Sequence, residues 1–300
     1  MNRKDLNDLF RVSPGKKVRL KDYDPGWMGR KEMRRLGKDV RKEKAKAFLE
    51  QNLEQLASAQ ELLWASDTYS VLIVFQAMDA AGKDGLIKHV MSGVNPQGCQ
   101  VFSFKKPSAE ELDHNFLWRC AKRTPERGRI GIFNRSYYEE VLVVKVHPEI
   151  LKSQKLPPGK RGESFWQKRY EDINNFEKHL ARNGTVIMKF FLNVSREEQK
   201  KRFLERLENP NKHWKFSEAD IAERGFWKDY MKAYEEALSA TSTQWAPWYV
   251  VPADRKWVSR AVVAEIVTAT IASLNLSYPT VSKARKVSLG KAQKSLEAEK

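Results

Sequence analysis

A glycine and a lysine occur where an apolar stretch of the sequence changes into a helical pattern. The stretch VLIVFQAMDAAGKDG opens with the apolar run and contains Gly82 and Lys83. An apolar strand, a small-residue turn and a helix are the usual setting of a phosphate-binding loop, whose common pattern is G-x-x-x-x-G-K-[ST]. Here Ala77 occupies the first glycine position and Asp84 the hydroxyl position. The pattern favours a phosphate site, and an ordinary strand-to-helix turn is the alternative.

The residue types in this loop suit a phosphate that carries a metal ion. Gly82 permits a tight turn, which directs N–H groups and the start of the next helix toward an anion. Lys83 adds a positive charge for the phosphate oxygens. Asp84 offers Mg²⁺ a carboxylate where Ser or Thr would offer a neutral oxygen, and Asp79 can supply a second carboxylate. The alternative is that Asp84 only caps the helix, since acids are favoured in a first helical turn.

A second polar group follows the apolar stretch RIGIF, which we predict to be another strand. An acid at the end of such a strand commonly works with the phosphate loop, but this chain has Asn134 there and a nearby acid at Glu139. Ligands of α/β sheets bind beyond the carboxyl ends of the strands. We therefore expect Arg135 to lie near Lys83, with an ordinary surface salt bridge as the alternative.

Strand and helix patterns alternate through the middle of the chain. The predicted strands are 71–76, 99–104, 129–133, 185–194 and 248–253, and the clearest predicted helices are 109–120, 165–182, 195–207 and 258–274. This alternation predicts an α/β fold, a three-layer sandwich with a mainly parallel sheet.

We divide the sequence into three parts. Residues 1–66 comprise an N-terminal arm, expected to be extended up to residue 28, and a basic helix from Arg30 to about Ala65 that packs on the core. Residues 67–279 form the main domain. Residues 280–300 are a charged C-terminal tail, which we expect to fray.

The charge balance limits the class of partner. The chain has 55 Lys and Arg against 38 Asp and Glu, a net charge of +17. Such an excess favours a polyanion: a nucleic acid, an anionic membrane or a phosphate-rich substrate. The two cysteines form no disulfide framework, and no apolar run reaches the roughly 18 residues that span a bilayer. We expect a cytoplasmic protein that does not bind membranes.

Motifs along nearly the whole chain resemble the polyphosphate kinase 2 family. In order, they are DAAGKDG, SGVNPQG, FLWR, IFNRSYYEEVLVVKVHPE, FWQKRYEDINNFEKHL, KKRFLER and APWYVVPADRKW. The resemblance implies a P-loop kinase fold similar to thymidylate kinase, with a helical lid at about 195–226. It also implies Mg²⁺-dependent transfer of phosphate between inorganic polyphosphate and nucleotides. The form N-R-S-x-Y-E, with Asn134 where many members carry Asp, resembles the class III subgroup, which phosphorylates nucleoside mono- and diphosphates.

The resemblance assigns roles to individual residues. The catalytic candidates are Asp79, Lys83, Asp84 and Arg135: the two cations hold the transferring phosphoryl group and the two acids bind Mg²⁺. The substrate-binding candidates are Gly82, Gly85, Arg119, Asn134, Glu139, Arg202 and Arg206. Among these, Arg119 is a candidate for the phosphate of the acceptor. Arg202 and Arg206 lie one helical turn apart, so both can point inward, and an exposed helix face is the alternative.

Two other functions are compatible with parts of the sequence. An ATP-dependent nucleoside monophosphate kinase would usually carry Ser or Thr at position 84 and need not be so basic. A nucleic-acid-binding protein would interleave aromatic and basic residues on a strand platform, or carry a basic recognition helix, and neither is recognisable here. We therefore predict inorganic polyphosphate and nucleoside mono- and diphosphates as partners, no nucleic acid, and a homo-oligomeric assembly.

Overall fold

A five-stranded sheet with the strand order β2-β3-β1-β4-β5 forms the centre of the protein. The computed structural model describes residues 3–29, 33 and 35–299. The strands are β1 Ser70–Gln76, β2 Cys99–Ser103, β3 Ile130–Asn134, β4 Thr185–Asn193 and β5 Trp248–Pro252. All four neighbouring pairs are parallel. Every residue of β1 is buried, which explains its unbroken apolar sequence.

Helices cover the sheet. They are α1 Arg3–Phe10, α2 Lys38–Ser66, α3 Lys83–Val90, α4 Ala109–Asp113, α5 Trp118–Ala121, α6 Val143–Val146, α7 Glu163–Arg182, α8 Arg196–Glu208, α9 Glu218–Gly225, α10 Trp227–Thr241, α11 Lys256–Ala272 and α12 Lys283–Glu297. One group packs α2 and α3 against α11, and a second packs α6 and α7 against α10. This arrangement confirms the α/β fold with a parallel sheet.

The predicted helix over 109–120 is wrong, because the structure has two short helices there. The first ends at Asp113, and His114 is extended. Asn115 then accepts a hydrogen bond from the Leu117 N–H at 3.0 Å. A side chain that captures a nearby backbone group in this way competes with helix continuation.

Both termini are more helical than the sequence suggested. The arm begins with α1 instead of an extended segment, and its Leu6 and Phe10 are buried in the core. The tail forms α12, which Ser282 caps by accepting a hydrogen bond from the Arg285 N–H, and no residue of α12 is buried. The basic helix begins at Lys38; the start predicted at Arg30 lies outside the described residues.

The sheet brings the predicted loop and the predicted second motif together. β1 and β3 are neighbours, and their register pairs Phe75 with Asn134. The loop after β1 and the turn after β3 therefore leave the same edge of the sheet side by side. Among the described residues, no helix has both the length and the apolar character needed to cross a membrane.

Candidate active site

The backbone of the loop between β1 and α3 takes an unusual conformation at two positions, one a glycine and the other an alanine. Ala80 and Gly82 both adopt left-handed conformations, with φ of 59° and 102°. Glycine adopts this conformation freely, whereas alanine is strained in it. α3 begins at Lys83, directly after Gly82. The unpaired N–H groups of its first turn therefore lie at the end of the loop, where an anion is favoured.

Two buried side chains of α8 bind the carbonyl groups of this loop. Gln199, which is 1% exposed, donates from Nε2 to the carbonyl of residue 79 at 2.9 Å. Arg202, which is 5% exposed, donates from Nη1 to the carbonyls of residues 80 and 81 at 3.1 and 2.8 Å. Its Nη2 donates to the carbonyls of residues 253 and 254. The strained loop is therefore fastened to α8 and to the segment after β5.

Lys83 is only 9% exposed, and its Nζ donates to the Ala77 carbonyl at 3.0 Å. Burial lowers the pKa of Lys83, and the nearby Arg135 guanidinium lowers it further, while carboxylates, Asp79 foremost, oppose the shift. A phosphate group would supply the negative charge that this cation lacks.

Arg135 joins the two motifs. Its φ is 65°, again left-handed, and its Nη2 lies 2.7 Å from Oδ1 of Asp79. Nη1 lies 3.6 Å from Oε2 of Glu139. Glu139 is the main cause that raises the pKa of Arg135, and burial raises the pKa of Glu139 itself. The guanidinium thus remains charged beside Lys83.

Asp84 and Asn134 are in direct contact. The amide Nδ2 of Asn134 donates to Oδ1 of Asp84 at 2.7 Å. Asp84 is exposed, and Asp79 is partly exposed with one oxygen bound to Arg135. Carboxylate oxygens are the ligands that Mg²⁺ prefers, and Mg²⁺ is usually bound through one or two of them with phosphates and water. This donor set fits Mg²⁺.

A cavity of about 760 Å³ opens at the loop. Its positively charged lining residues are Lys83, Lys105, Lys106, Arg135, Arg202, Arg206, Lys212, Lys215, Lys256 and Arg260, and its acids are Asp79, Asp84, Glu205 and Asp220. This excess of positive charge favours a polyanionic ligand.

Most of the predicted site residues line this one cavity: Asp79, Gly82, Lys83, Asp84, Gly85, Asn134, Arg135, Arg202 and Arg206. Glu139 and Arg119 are the exceptions. Glu139 contacts the cavity through Arg135. Arg119 donates to the Lys105 carbonyl at 2.7 Å and approaches Glu111 at 3.4 Å, and its charge lowers the pKa of Glu139. Arg119 therefore does not line the cavity in this structure.

The sequence did not single out several residues of this site. Lys105 and Lys106 follow β2 at the same edge of the sheet, and Lys256 and Arg260 lie in the first turns of α11. Their position just after strands was the available signal. Gln199 carried no signal in the sequence, because its partner is 120 residues away.

The stretch expected to form the lid borders the cavity. It contains a 3₁₀ turn, Pro210–Lys215, and then α9. Arg206 lies 3.7 Å from Asp220 of α9, and Arg224 of α9 donates to Gln199. Trp214 is 78% exposed at the rim.

Comparisons with known proteins identify the family of this chain. A protein of Rhodopseudomonas palustris named ADP-polyphosphate phosphotransferase is 53% identical over 93% of this chain and 94% of its own length. A protein of Meiothermus ruber named AMP/ADP-polyphosphate phosphotransferase is 45% identical over 90% of this chain and 94% of its own. The crystal structure of polyphosphate kinase 2 from Arthrobacter aurescens matches with a TM-score of 0.84 and 38% identity, over 96% of both chains. The sequence profile described as Polyphosphate kinase 2 (PPK2) matches residues 39–278. The chain belongs to the polyphosphate kinase 2 family.

Proposed function

We propose that this protein transfers phosphate from inorganic polyphosphate to nucleoside mono- and diphosphates, converting AMP to ADP and ADP to ATP with Mg²⁺. The observation that carries the proposal is the strongly basic cavity built around the phosphate loop. A polymer with one negative charge per unit matches such a lining better than a single nucleotide does. The R. palustris relative is named for ADP alone, whereas the M. ruber relative is named for AMP and ADP. Both nucleotides should therefore be tested as acceptors.

The chemistry is an exchange of one phosphoanhydride for another. A terminal phosphate oxygen of the nucleotide attacks the terminal phosphorus of polyphosphate, and the bond from that phosphorus to the next bridging oxygen breaks. The shortened polyphosphate leaves with the electron pair. The attacking oxygen is largely ionised at neutral pH, so no base has to remove a proton. Because the bonds made and broken are alike, the reaction can run in either direction.

The residues of the site supply position and charge. Lys83 and Arg135 bind the oxygens of the transferring phosphoryl group, and the N–H groups at Gly82 and in the first turn of α3 hold the chain next to it. Gln199 and Arg202 keep the loop in the conformation that presents those groups. Arg206 exchanges its contact with Asp220 for a phosphate of the substrate.

Asp79 and Asp84 are the residues that hold Mg²⁺, with Asn134 orienting Asp84. When bound, the ion neutralises charge on the donor and acceptor phosphates. Of the segment expected to form the lid, about 195–226, residues 210–226 act as the lid, because α8 is fixed to the loop by Gln199 and Arg202. Closing of the lid excludes water, which would otherwise hydrolyse the transferred group.

The test uses the purified protein with AMP or ADP, Mg²⁺ and polyphosphate, and no ATP. We expect ADP and ATP to form. With AMP, an ATP-dependent nucleoside monophosphate kinase would give no product until ATP was added. With ADP, it would form ATP and AMP in equal amounts whether or not polyphosphate was present. A nucleic-acid-binding protein would give none in either case. Homo-oligomerisation and a cytoplasmic location belong to the same proposal, and light scattering of the purified protein measures the first.

A further inference from the structure

A charged pair lies in the core of the protein, outside the cavity. Glu177 of α7 and Lys189 of β4 are both 0% exposed, with Oε2 and Nζ 2.6 Å apart. Nζ also donates to the Thr241 carbonyl at 2.7 Å and to the Tyr138 hydroxyl at 2.8 Å. The three donors of the ammonium group therefore all have partners.

The second oxygen of Glu177 binds two consecutive tyrosines. The hydroxyls of Tyr137 and Tyr138 donate to Oε1 at 2.8 and 2.9 Å. Both tyrosines are buried, and they open the 3₁₀ turn Tyr137–Glu140. Glu139 lies in this turn and Arg135 lies two residues before it, so the tyrosines lie between two residues of the candidate active site.

A contribution to folding stability does not by itself explain why these two charged side chains are buried together. Burial raises the pKa of Glu177 and lowers the pKa of Lys189 to about 8, so the protein interior opposes both charges. A buried ion pair is often no more stable than apolar side chains of the same volume. The more specific consequence of the pair is the fixed position that it gives to the groups bound to it.

We propose that Glu177 is a positioning residue for phosphoryl transfer, which acts through Tyr137 and Tyr138 to hold Arg135 and Glu139 in place. The hydroxyls of two adjacent residues donate to the same carboxylate oxygen, and these two hydrogen bonds prevent the turn from rotating about the end of β3. Lys189 holds the carboxylate from the other side. The inference rests on the proposed function, since its effect on rate needs that reaction.

The size of the effect follows from the geometry of the reaction. Arg135 contacts Asp79 at 2.7 Å and Glu139 at 3.6 Å, so a shift of the turn displaces a cation and a carboxylate together. A misplacement of about 1 Å can cost a factor of roughly 10² in rate. A loss of this kind appears in kcat, because binding of nucleotide and polyphosphate elsewhere in the cavity is unchanged.

The test compares Tyr137→Phe, Tyr138→Phe and their double variant with Tyr170→Phe. Tyr170 is a buried tyrosine of α7 whose hydroxyl binds Lys145, outside this cluster. For the double variant we expect kcat at least about tenfold lower, with KM for ADP and polyphosphate within about twofold. Tyr170→Phe should keep its kcat at a similar change in Tm. Equal kcat in all folded variants would overturn the proposal, and the single variants decide it if the double variant does not fold.

A second pair of variants separates the hydrogen bonds from mere volume. Glu177→Gln keeps an oxygen that can accept from both hydroxyls, whereas Glu177→Leu does not. Glu177→Gln should therefore retain more of the turnover than Glu177→Leu. Equal losses in the two would contradict a role through the tyrosines.

Amide hydrogen exchange gives a readout that needs no activity. The N–H groups of Glu139 and Val141 are bonded within the turn. In the double tyrosine variant, they should exchange about tenfold faster, the factor expected when a hydrogen bond is lost. Tyr170→Phe should leave them unchanged. Unchanged exchange in the double variant would overturn the inference. If the wild-type protein transferred no phosphate from polyphosphate, the proposed function would fail, and exchange alone would decide this inference.

Discussion

Asn134 donates a hydrogen bond from Nδ2 to Oδ1 of Asp84 at 2.7 Å. Each of these residues departs from a pattern: Asp84 stands where most phosphate loops carry Ser or Thr, and Asn134 stands where the neighbouring strand commonly ends in an acid. The two residues that depart from these patterns are therefore in direct contact. An amide beside the carboxylate orients it, whereas a second carboxylate at this distance would repel it. We propose that the loop and the second motif together bind a metal-complexed phosphate.

Asp84→Ser restores the common loop residue, and we predict that it weakens the enzyme. The change removes a carboxylate that we assign to Mg²⁺ and leaves Asn134 without its acceptor. We expect a higher Mg²⁺ concentration for half-maximal rate, measured at fixed free substrate. The double variant Asp84→Ser/Asn134→Asp returns one carboxylate and should recover part of the loss. An unchanged metal requirement in Asp84→Ser would show that Asp84 only caps α3.

Lys83→Met should reduce turnover by a factor of about 10² to 10³, the usual effect of removing one electrostatic contact to a transition state. Methionine keeps most of the buried stem, so the fold should persist. Lys88→Met is the matched control, because Lys88 lies exposed on the same helix. Near-normal turnover in Lys83→Met would remove this loop from the proposed chemistry.

The pH dependence of kcat/KM should report Lys83. Burial and Arg135 lower its pKa, so the protonated form is lost at a lower pH than for an ordinary lysine. The rate should therefore fall as the pH rises through this lowered pKa. In Lys83→Arg, the guanidinium stays protonated, and the alkaline fall should move to higher pH even if the maximum rate is smaller. An alkaline limb at the same pH in both proteins would assign it to another group.

Arg202→Met should destabilise the protein in the absence of any substrate. Its guanidinium binds the carbonyls of residues 80, 81, 253 and 254. Their loss leaves buried acceptors without partners, which is costly. Arg206→Met is the control, because Arg206 binds Asp220 and the Lys215 carbonyl on the lid side and lies over the Phe203 ring, with no bond to the loop carbonyls among the described residues. We expect a clearly larger fall in Tm for Arg202→Met. Equal Tm values would favour a substrate-binding role for Arg202 instead.

Local patterns predicted the parts of the fold that depend on local physics. β1 and β4 are mainly apolar because both faces of a central parallel strand are buried, and the charged exception, Lys189, is paired with Glu177. Ser195 caps α8, which begins at Arg196, by accepting a hydrogen bond from the Glu198 N–H. The loop was recognisable because its glycine and lysine lie next to each other in sequence. Arg135 followed from the rule that strand ends share one edge.

The rest of the site depends on contacts between distant residues. Gln199 binds the loop across 120 residues, and Glu177 binds Tyr137 across 40. Neither residue has a type or spacing that distinguishes it from an ordinary helix residue. The break between α4 and α5 depends on one asparagine side chain, and the buried face of α1 depends on where the arm meets β5. Such contacts become visible only when the elements are assembled.

Helices α2 and α11 both have basic residues in their first turns, and they run beside each other. Successive residues of α2 and α11 lie side by side: the Thr268 hydroxyl donates to the Asn52 carbonyl at 3.3 Å, and residues 54–62 of α2 border residues 271–276. The helices are therefore parallel, and both begin at the end of the molecule where Lys256 and Arg260 line the cavity. We infer that the basic residues in the first turns of α2 lie beside the basic side of the cavity and extend its positively charged surface.

If this surface binds the polymer, the affinity for long polyphosphate should fall steeply with added salt, because each displaced counterion contributes to the slope. A short chain touches fewer cations and should show a shallower slope, and ADP the shallowest. Neutralising Arg35, Lys38 and Lys42 together should flatten the slope for long chains and leave turnover at saturation unchanged. Arg34 belongs to the same basic stretch of the sequence and lies outside the described residues.

The matched control removes the same charge elsewhere. Replacing Arg285, Lys286 and Lys291 by glutamine also lowers the net charge by three. These residues lie on α12, which follows the C-terminal end of α11 in the chain and has no buried residue. Affinity should be measured at fixed total phosphate and fixed free Mg²⁺, because polyphosphate chelates the metal. A general effect of net charge would flatten both slopes equally, since it depends on total charge and not on position. If polyphosphate binds along α2, only the substitutions of Arg35, Lys38 and Lys42 should flatten the salt slope. Equal slopes for long and short chains in the wild-type protein would contradict the path altogether.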